Sequence, residues 1–304
     1  MKTLVICGAT ATGKTALAVE CAKMLGGEVI SADSEIIYRG LNIGTAKPSQ
    51  EEMQGVLHHM IDIVGAQESF TVIDYQERAS KILERIEKDG KVPVICGGTG
   101  FYINSLLFDY SYGSVPSNPE VRAKYQNIAD ADGREVLYGI LQQLDPKTAA
   151  RLHPNDVKRV IRALEILDVS GTKMSEIQDS LKSIREYVAV AIDYPRDELY
   201  QRIDQRVDRM FSAGLVNEVK DLMVHGVTDM CQSMQAIGYK EVYSGIKKGA
   251  SESMMRDIVK LNTRHYAKRQ ITFFRKMPGI IWLKPADATA ENVCSIYNGS
   301  NNAK

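Results

Sequence analysis

The stretch Thr3-Leu4-Val5-Ile6-Cys7-Gly8-Ala9-Thr10-Ala11-Thr12-Gly13-Lys14-Thr15 decides the fold. Residues 8–15 fit G-x-x-x-x-G-K-[ST], a loop whose backbone N–H groups cradle phosphate. A β-branched apolar run over 3–7 leads into it, and apolar residues at helical spacing follow over 14–25. Strand, loop and helix in that order aim the loop's N–H groups and the helix N-terminus at an anion. Gly8, Ala9, Thr10, Ala11, Thr12, Gly13, Lys14 and Thr15 are therefore expected to bind diphosphate or nucleotide. Lys14 would reach the outer phosphate and the Thr15 hydroxyl would face a Mg²⁺ ion.

Such a loop does not say which phosphate compound it holds. ATPases usually carry a second strand ending in an aspartate that holds the metal. The strand expected beside the loop's own, 92–96, runs instead into Gly97-Gly98-Thr99 with no carboxylate. The acid ends a different run, Glu28-Val29-Ile30-Ser31-Ala32-Asp33. That placement suits a carboxylate acting on a second substrate, and it equally suits an Asp that caps the next segment.

Working outward, strand-like runs occur at 3–7, 28–32, 92–96, 187–193 and 279–283. Helical patterns lie between them at 14–25, 72–88, 100–108, 196–225, 234–246 and 251–275. The alternation predicts an α/β protein with a parallel sheet covered on both faces, of the P-loop NTPase-like type. Ligands of such sheets bind at the C-terminal strand ends, where residues 8–15, Asp33 and Thr99 all fall. From the turn-rich Ser114-Val115-Pro116-Ser117-Asn118-Pro119 to about residue 184 the pattern is helical without strands. A helical insertion over 114–184 is therefore expected within a catalytic core of 1–113 and 185–304. The polar tail 298–304 is expected to fray.

The chain has 304 residues, enough for a large core, with 38 Lys and Arg against 38 Asp and Glu. Net charge therefore predicts no nucleic-acid partner, and its distribution leaves open both a solvated basic face and a surface for phosphate contacts. Arg256, Lys260, Arg264, Lys268, Arg269, Arg275 and Lys276 crowd 254–277, opposed only by Asp257. Arg151, Lys158, Arg159 and Arg162 form a second basic cluster with Asp156. The cysteines are scattered singly without metal spacing, which suggests a reducing cytoplasm. The apolar run before the phosphate loop is too short for a signal peptide, and no stretch has membrane-spanning length. His58-His59 would face apart in a strand, and no metal is expected there.

The longer blocks resemble one family. Ser31-Ala32-Asp33-Ser34-Glu35-Ile36-Ile37-Tyr38-Arg39-Gly40, Asn42-Ile43-Gly44-Thr45-Ala46-Lys47-Pro48, His58-His59-Met60-Ile61-Asp62-Ile63 and Gly97-Gly98-Thr99-Gly100-Phe101-Tyr102 are similar to the tRNA dimethylallyltransferases. So are His153-Pro154-Asn155-Asp156 with Arg159, Arg162-Ala163-Leu164-Glu165, Ala236-Ile237-Gly238-Tyr239-Lys240, Thr263-Arg264 and Ala267-Lys268-Arg269-Gln270. The blocks keep family order across nearly the whole chain. Asn104 departs from a position that is often basic, and Phe273 from one that is often Trp.

The resemblance implies transfer of a dimethylallyl group from dimethylallyl diphosphate to the exocyclic N6 of the adenine 3′ to the anticodon, with release of diphosphate. Asp33 is the implied base and Thr10 the implied hydroxyl near the leaving oxygen. Arg206 matches the family's diphosphate-binding position, and Asp204 and Asp208 are not at helical pairing distance from it. Asp33, Ser34, Glu35, Ile36, Thr99, Lys158, Arg159, Val160, Ile161, Arg162, Gln235, Ala236, Ile237, Gly238, Tyr239 and Lys240 would line the RNA path. Tyr239 fits a base-stacking role or a buried helix start equally well. The implied partners are tRNA through its anticodon stem-loop and dimethylallyl diphosphate, with Mg²⁺, for a cytoplasmic monomer. Prenylation of free adenine nucleotides, phosphotransfer and simple RNA binding are the competing readings.

Overall fold

The computed structural model describes residues 2–109, 115–177 and 182–299. Packing divides the chain into two units, one of 1–108 with 183–304 and the other of 109–182. Ser114, the expected first residue of the insertion, and the tail from residue 300 lie outside the described residues.

In chain order the first unit begins with β1 (Thr3–Cys7), α1 (Lys14–Leu25), β2 (Glu28–Ser31), α2 (Gln50–Met53) and β3 (His58–His59). It continues through α3 (Val72–Lys88), β4 (Pro93–Gly97) and α4 (Gly100–Leu107). The second unit holds α5 (Pro119–Ala131), α6 (Arg134–Leu144), α7 (Pro146–Ala149) and α8 (Val157–Ser170). The first unit then resumes with β5 (Tyr187–Ile192), α9 (Arg196–Ser212), α10 (Leu215–Val224) and α11 (Tyr239–Lys247). It closes with α12 (Glu252–Phe274), β6 (Ile280–Leu283) and α13 (Ala290–Gly299).

The strands form one six-stranded sheet in the order β3-β2-β4-β1-β5-β6, every pairing parallel. Alternation along β1 explains its unbroken apolar sequence. Val5 and Cys7 enter the core beneath α3, α4, α9 and α12, while Leu4 and Ile6 enter the core beneath α1 and α13. A strand buried on both faces has no polar side to show.

The elements depart from the sequence pattern in several places. The helix expected over 196–225 is broken at Gly214, whose φ of 99° ends α9 and starts α10. The pattern over 234–246 becomes a 3₁₀ turn at Ser233–Gln235 followed by α11, with Gly238 at φ 97° between them. α13 has no counterpart in the pattern: it is short, and its apolar residues Val293, Cys294 and Tyr297 are legible as a face only against α1.

In the second unit Tyr125, Leu137, Leu141, Val160, Ile161 and Leu164 form a core of their own. Its polar centre is Glu165, fully buried, which accepts bonds from Arg122 (2.8 and 3.1 Å), Arg162 (2.6 Å) and the Asn118 N–H (2.7 Å). Burial alone would raise this carboxyl, and the cationic and backbone donors outweigh it and hold it below its usual range.

Where β2 and β4 end, the two segments cross closely. The Ala32 N–H donates to Cys96 O (2.8 Å) and the Thr99 N–H donates to Ala32 O (3.0 Å). A Cβ on Gly97 would lie 2.1 Å from Ala32 O and 2.3 Å from its carbonyl carbon. Both obstacles are backbone, so Gly97→Ala is expected to destabilise the protein by about 2 kcal/mol or more. Urea denaturation reads this directly, and an unchanged midpoint would mean that β2 and β4 separate at no cost.

Candidate active site

The residues after β1 turn sharply because Gly8 (φ 122°), Ala11 (φ 63°) and Gly13 (φ 90°) take left-handed backbone. For Ala11 this is strained, and Arg202 of α9 pins it by donating from Nε to Ala11 O (2.9 Å). Thr12 Oγ1 donates to Ala9 O (2.9 Å), closing the loop from inside. No side chain caps the N-terminus of α1, so its first N–H groups are left to an anion. Lys14 Nζ rests on Ala9 O. Burial pulls this ammonium below its ordinary value, with Arg206 adding to the fall and Asp33 opposing it.

Thr10, Lys14, Thr15, Asp33, Ile36 and Arg206 all line one cavity at the C-terminal edge of the sheet. Gln270 and Tyr266 of α12 also line it. Arg206 donates to Thr45 O (3.0 Å) rather than pairing within its helix. Its neighbours Asp204 and Asp208 are taken by Arg264 and Lys260 of α12. Burial lowers the Arg206 guanidinium as well, and Asp33 pulls it back. Two desolvated cations thus face the cavity beside one carboxylate.

Asp33 Oδ1 accepts the Glu35 N–H (2.9 Å), an Asx turn that fixes the carboxylate just past β2. Thr99 Oγ1 accepts the Ser34 N–H (3.0 Å), tying this turn to the start of α4. Burial, reinforced by Asp33, pushes the Glu35 carboxyl up to about 8, against the Ser34 hydroxyl. Cys96, also on the cavity wall, is pushed up to about 12 by burial and stays a neutral thiol.

Sequence reasoning missed Gln270 as a site residue. It is buried, takes the Thr10 N–H on Oε1 (2.9 Å) and donates from Nε2 to Gly98 O (3.0 Å). One side chain therefore joins the phosphate loop to the β4 turn. Its membership in the block Ala267–Gln270 was the one signal available.

Tyr239 sits at a buried helix start. It is wholly buried, donates to Glu218 Oε1 (2.5 Å) and accepts the Gly44 N–H (3.0 Å). Glu218 also receives the Ile43 N–H (2.9 Å). The pair sets the loop that carries Thr45, and through it Arg206. Ala236 and Gly238 are buried, Ile237 is half-buried, and Gln235 and Lys240 are exposed; none of residues 235–240 lines the cavity. In the second unit Val160 and Ile161 are core residues and Arg162 is committed to Glu165 and Val115 O (2.8 Å). Lys158 and Arg159 are exposed, Arg159 with Asp156 at 3.4 Å. Asn104 is buried, and Phe273 packs edge-on against Phe101 with 5.3 Å between centroids.

The basic run on α12 is partly consumed by packing. Arg256, Lys260 and Arg264 pair with Glu252, Asp208 and Asp204, leaving Lys268, Arg269, Arg275 and Lys276 exposed. His58 and His59 form β3, and His59 bonds the buried Glu28 at 2.7 Å. Among the described residues no cluster of three His, Cys, Asp or Glu could hold a metal, and no helix is long and apolar enough to cross a membrane.

The family model described as IPP transferase matches residues 36–277. The chain belongs to that family. A tRNA dimethylallyltransferase of Alkaliphilus metalliredigens is 43% identical over 294 residues, covering 96% of this chain and 94% of the relative. The crystal structure of a tRNA isopentenylpyrophosphate transferase from Bacillus halodurans is 40% identical with TM-score 0.73, covering 99% of this chain and 96% of that one. Crystallographic snapshots of a eukaryotic dimethylallyltransferase acting on tRNA align at 27% identity and TM-score 0.81, over 100% of this chain and 80% of that one.

The raised Glu35 carboxyl gives this member a defined pH signature. Its proton is held from the ordinary 4.5 up to about 8, so between those limits the folded state binds more protons than the unfolded one. Its contribution to stability is fully present below 4.5 and is lost as pH rises through 8. Urea denaturation across this window should show wild type losing stability relative to Glu35→Gln. Parallel pH curves would remove Glu35 from the buried electrostatics.

Proposed function

We propose that this chain transfers a dimethylallyl group from dimethylallyl diphosphate to the N6 amine of the adenine 3′ to the anticodon of tRNA. The observation that carries the proposal is Asp33 in one cavity with Lys14, Thr15 and Arg206. A lone carboxylate beside a cationic anion-binding loop fits alkylation of an amine.

The exocyclic amine is a weak nucleophile because its lone pair is shared with the ring. The allylic carbon–oxygen bond breaks, the carbon–nitrogen bond forms, and the amine proton passes to Asp33. Charge grows on the departing diphosphate, where the loop N–H groups, Lys14 and Arg206 stabilise it and Thr10 stands near the leaving oxygen. Mg²⁺ demands few protein ligands and keeps several waters beside phosphate oxygens, and the exposed Thr15 hydroxyl on the cavity wall suits it. When bound, the ion would offset diphosphate charge. Phosphotransfer is disfavoured because β4 ends in Gly97 and runs on into Gly98 and Thr99, without a metal-holding acid.

The target base would be extruded from its loop to reach Asp33. Ser34, Glu35, Ile36 and Thr99 surround that carboxylate, and the unit of residues 109–182 is the proposed grip on the anticodon arm. Its exposed Lys158 and Arg159 are the phosphate-contacting candidates, with Gln235 and Lys240 as further surface contacts. We assign the protein to the cytoplasm as a monomer.

Asp33→Asn keeps the oxygen that accepts the Glu35 N–H and removes the proton acceptor. Turnover with unmodified tRNA should fall about 10²- to 10⁴-fold while diphosphate affinity holds. Wild-type turnover in this variant would return Asp33 to a capping role. Consumption of free AMP in place of tRNA, with dimethylallyl diphosphate present, would favour the free-nucleotide reading.

Lys158→Ala with Arg159→Ala should weaken tRNA binding and flatten log affinity against log salt by roughly one unit for each phosphate no longer neutralised. Titrations at several salt concentrations decide this. Parallel slopes would make that face of α8 a solvated surface.

A further inference from the structure

The cavity has a floor that the reaction as proposed does not use. Val29 and Ser31, which precede Asp33 at the strand period, line it, as does His58, whose backbone pairs in register with Val29. Thr15 lines the same cavity. Ser31 Oγ and His58 Nε2 are buried polar atoms without a hydrogen-bond partner in the protein. Leaving such an atom unpaired costs about 1–3 kcal/mol, and folded proteins nearly always satisfy it. A pair of them on one cavity wall calls for a ligand.

The chemistry of the two atoms says what kind. His58 Nδ1 lies 2.9 Å from Val56 O, a carbonyl that can only accept, so the ring proton sits on Nδ1 and Nε2 is a bare acceptor. Burial, with His59 nearby, keeps this imidazole below its ordinary value and therefore neutral. The Ser31 hydroxyl, 4% exposed, can accept as well as donate. The two side chains are thus uncharged and both can accept; His58 Nε2 can do nothing else, so it asks for a hydrogen-bond donor, which a bare phosphate oxygen is not. Imidazole nitrogen is also a poor direct ligand for a hard cation that prefers oxygen.

We infer that Ser31 and His58 accept hydrogen bonds from the water shell of the magnesium ion that enters with the diphosphate, an inference that rests on the phosphate-loop reading above. Magnesium gives up its waters reluctantly, and waters on a cation are strong donors. The two side chains act as positioning residues: they orient the hydrated ion against Thr15 and the loop without touching the metal. Outer-shell partners of this kind are typically worth 10- to 100-fold in metal affinity.

The test is calorimetric titration of the protein with inorganic diphosphate over a series of MgCl₂ concentrations, with no turnover involved. Wild type should bind diphosphate more tightly as Mg²⁺ rises. Ser31→Ala and His58→Leu should need about ten-fold more Mg²⁺ for half of that gain, with binding of metal-free diphosphate unchanged. Ser31→Thr and His58→Gln, which restore an acceptor, should recover much of the wild-type curve. Ser31→Ala removes an unpartnered hydroxyl, so its melting temperature should hold, and it keeps the test valid if His58→Leu folds poorly. If Ser31→Ala follows the wild-type Mg²⁺ curve, the floor holds water unrelated to the metal and the inference is overturned. If wild type does not bind diphosphate at any Mg²⁺ concentration, it is the phosphate-loop reading itself that fails.

Discussion

The close approach of Gly97 to the backbone of Ala32 is the constraint on which the site depends. With no side chain at 97, β2 and β4 run together to their ends, and the Thr99 N–H can reach Ala32 O. β4 lies between β1 and β2, so this crossing fixes how far the phosphate loop stands from Asp33. A wider gap would leave an anion site and a carboxylate that could not act on one pair of reactants. Gln270 then spans the same gap from above, bonded to the loop on one side and the β4 turn on the other.

The electrostatics follow from that enclosure. Lys14 and Arg206 are held on main-chain carbonyls, of Ala9 and Thr45, which are weak partners for desolvated cations. A diphosphate entering the cavity offers both a far stronger partner in a poorly screened setting. The helix N-terminus adds its share without a side chain competing for it. The Glu35 carboxyl, neutral over much of the physiological range, keeps a second negative charge away from Asp33. The resulting cavity is tuned for a polyanion with one carboxylate at its rim.

Charge elsewhere works differently from its appearance in the sequence. Of the basic residues along α12, those at 256, 260 and 264 tie the helix to its own first turn and to α9. Arg162 likewise serves the buried Glu165. Helical spacing puts such residues on one face but does not say whether that face meets solvent or an acidic neighbour. Arg206 shows the reverse case: its neighbouring aspartates are claimed by α12, and it is released toward the cavity.

The sequence alone determined the elements whose signals are local. Apolar runs marked five strands, those of β1, β4 and β5 nearly unbroken because burial on both faces leaves no polar alternation, and the loop at 8–15 was legible because its backbone needs glycine and its anion needs lysine. The two-residue β3 carries no period at all, and the single helix expected over 196–225 overlooked that Gly214 ends one helix as readily as it interrupts a pattern. Only the tertiary structure decided that Gln270 joins Thr10 to Gly98, that Tyr239 is buried under Gly44, and that Ser31 and His58 share a floor. Each of these brings together residues far apart in the chain, through strand pairing or helix packing, and no local spacing encodes which distant group a side chain will meet.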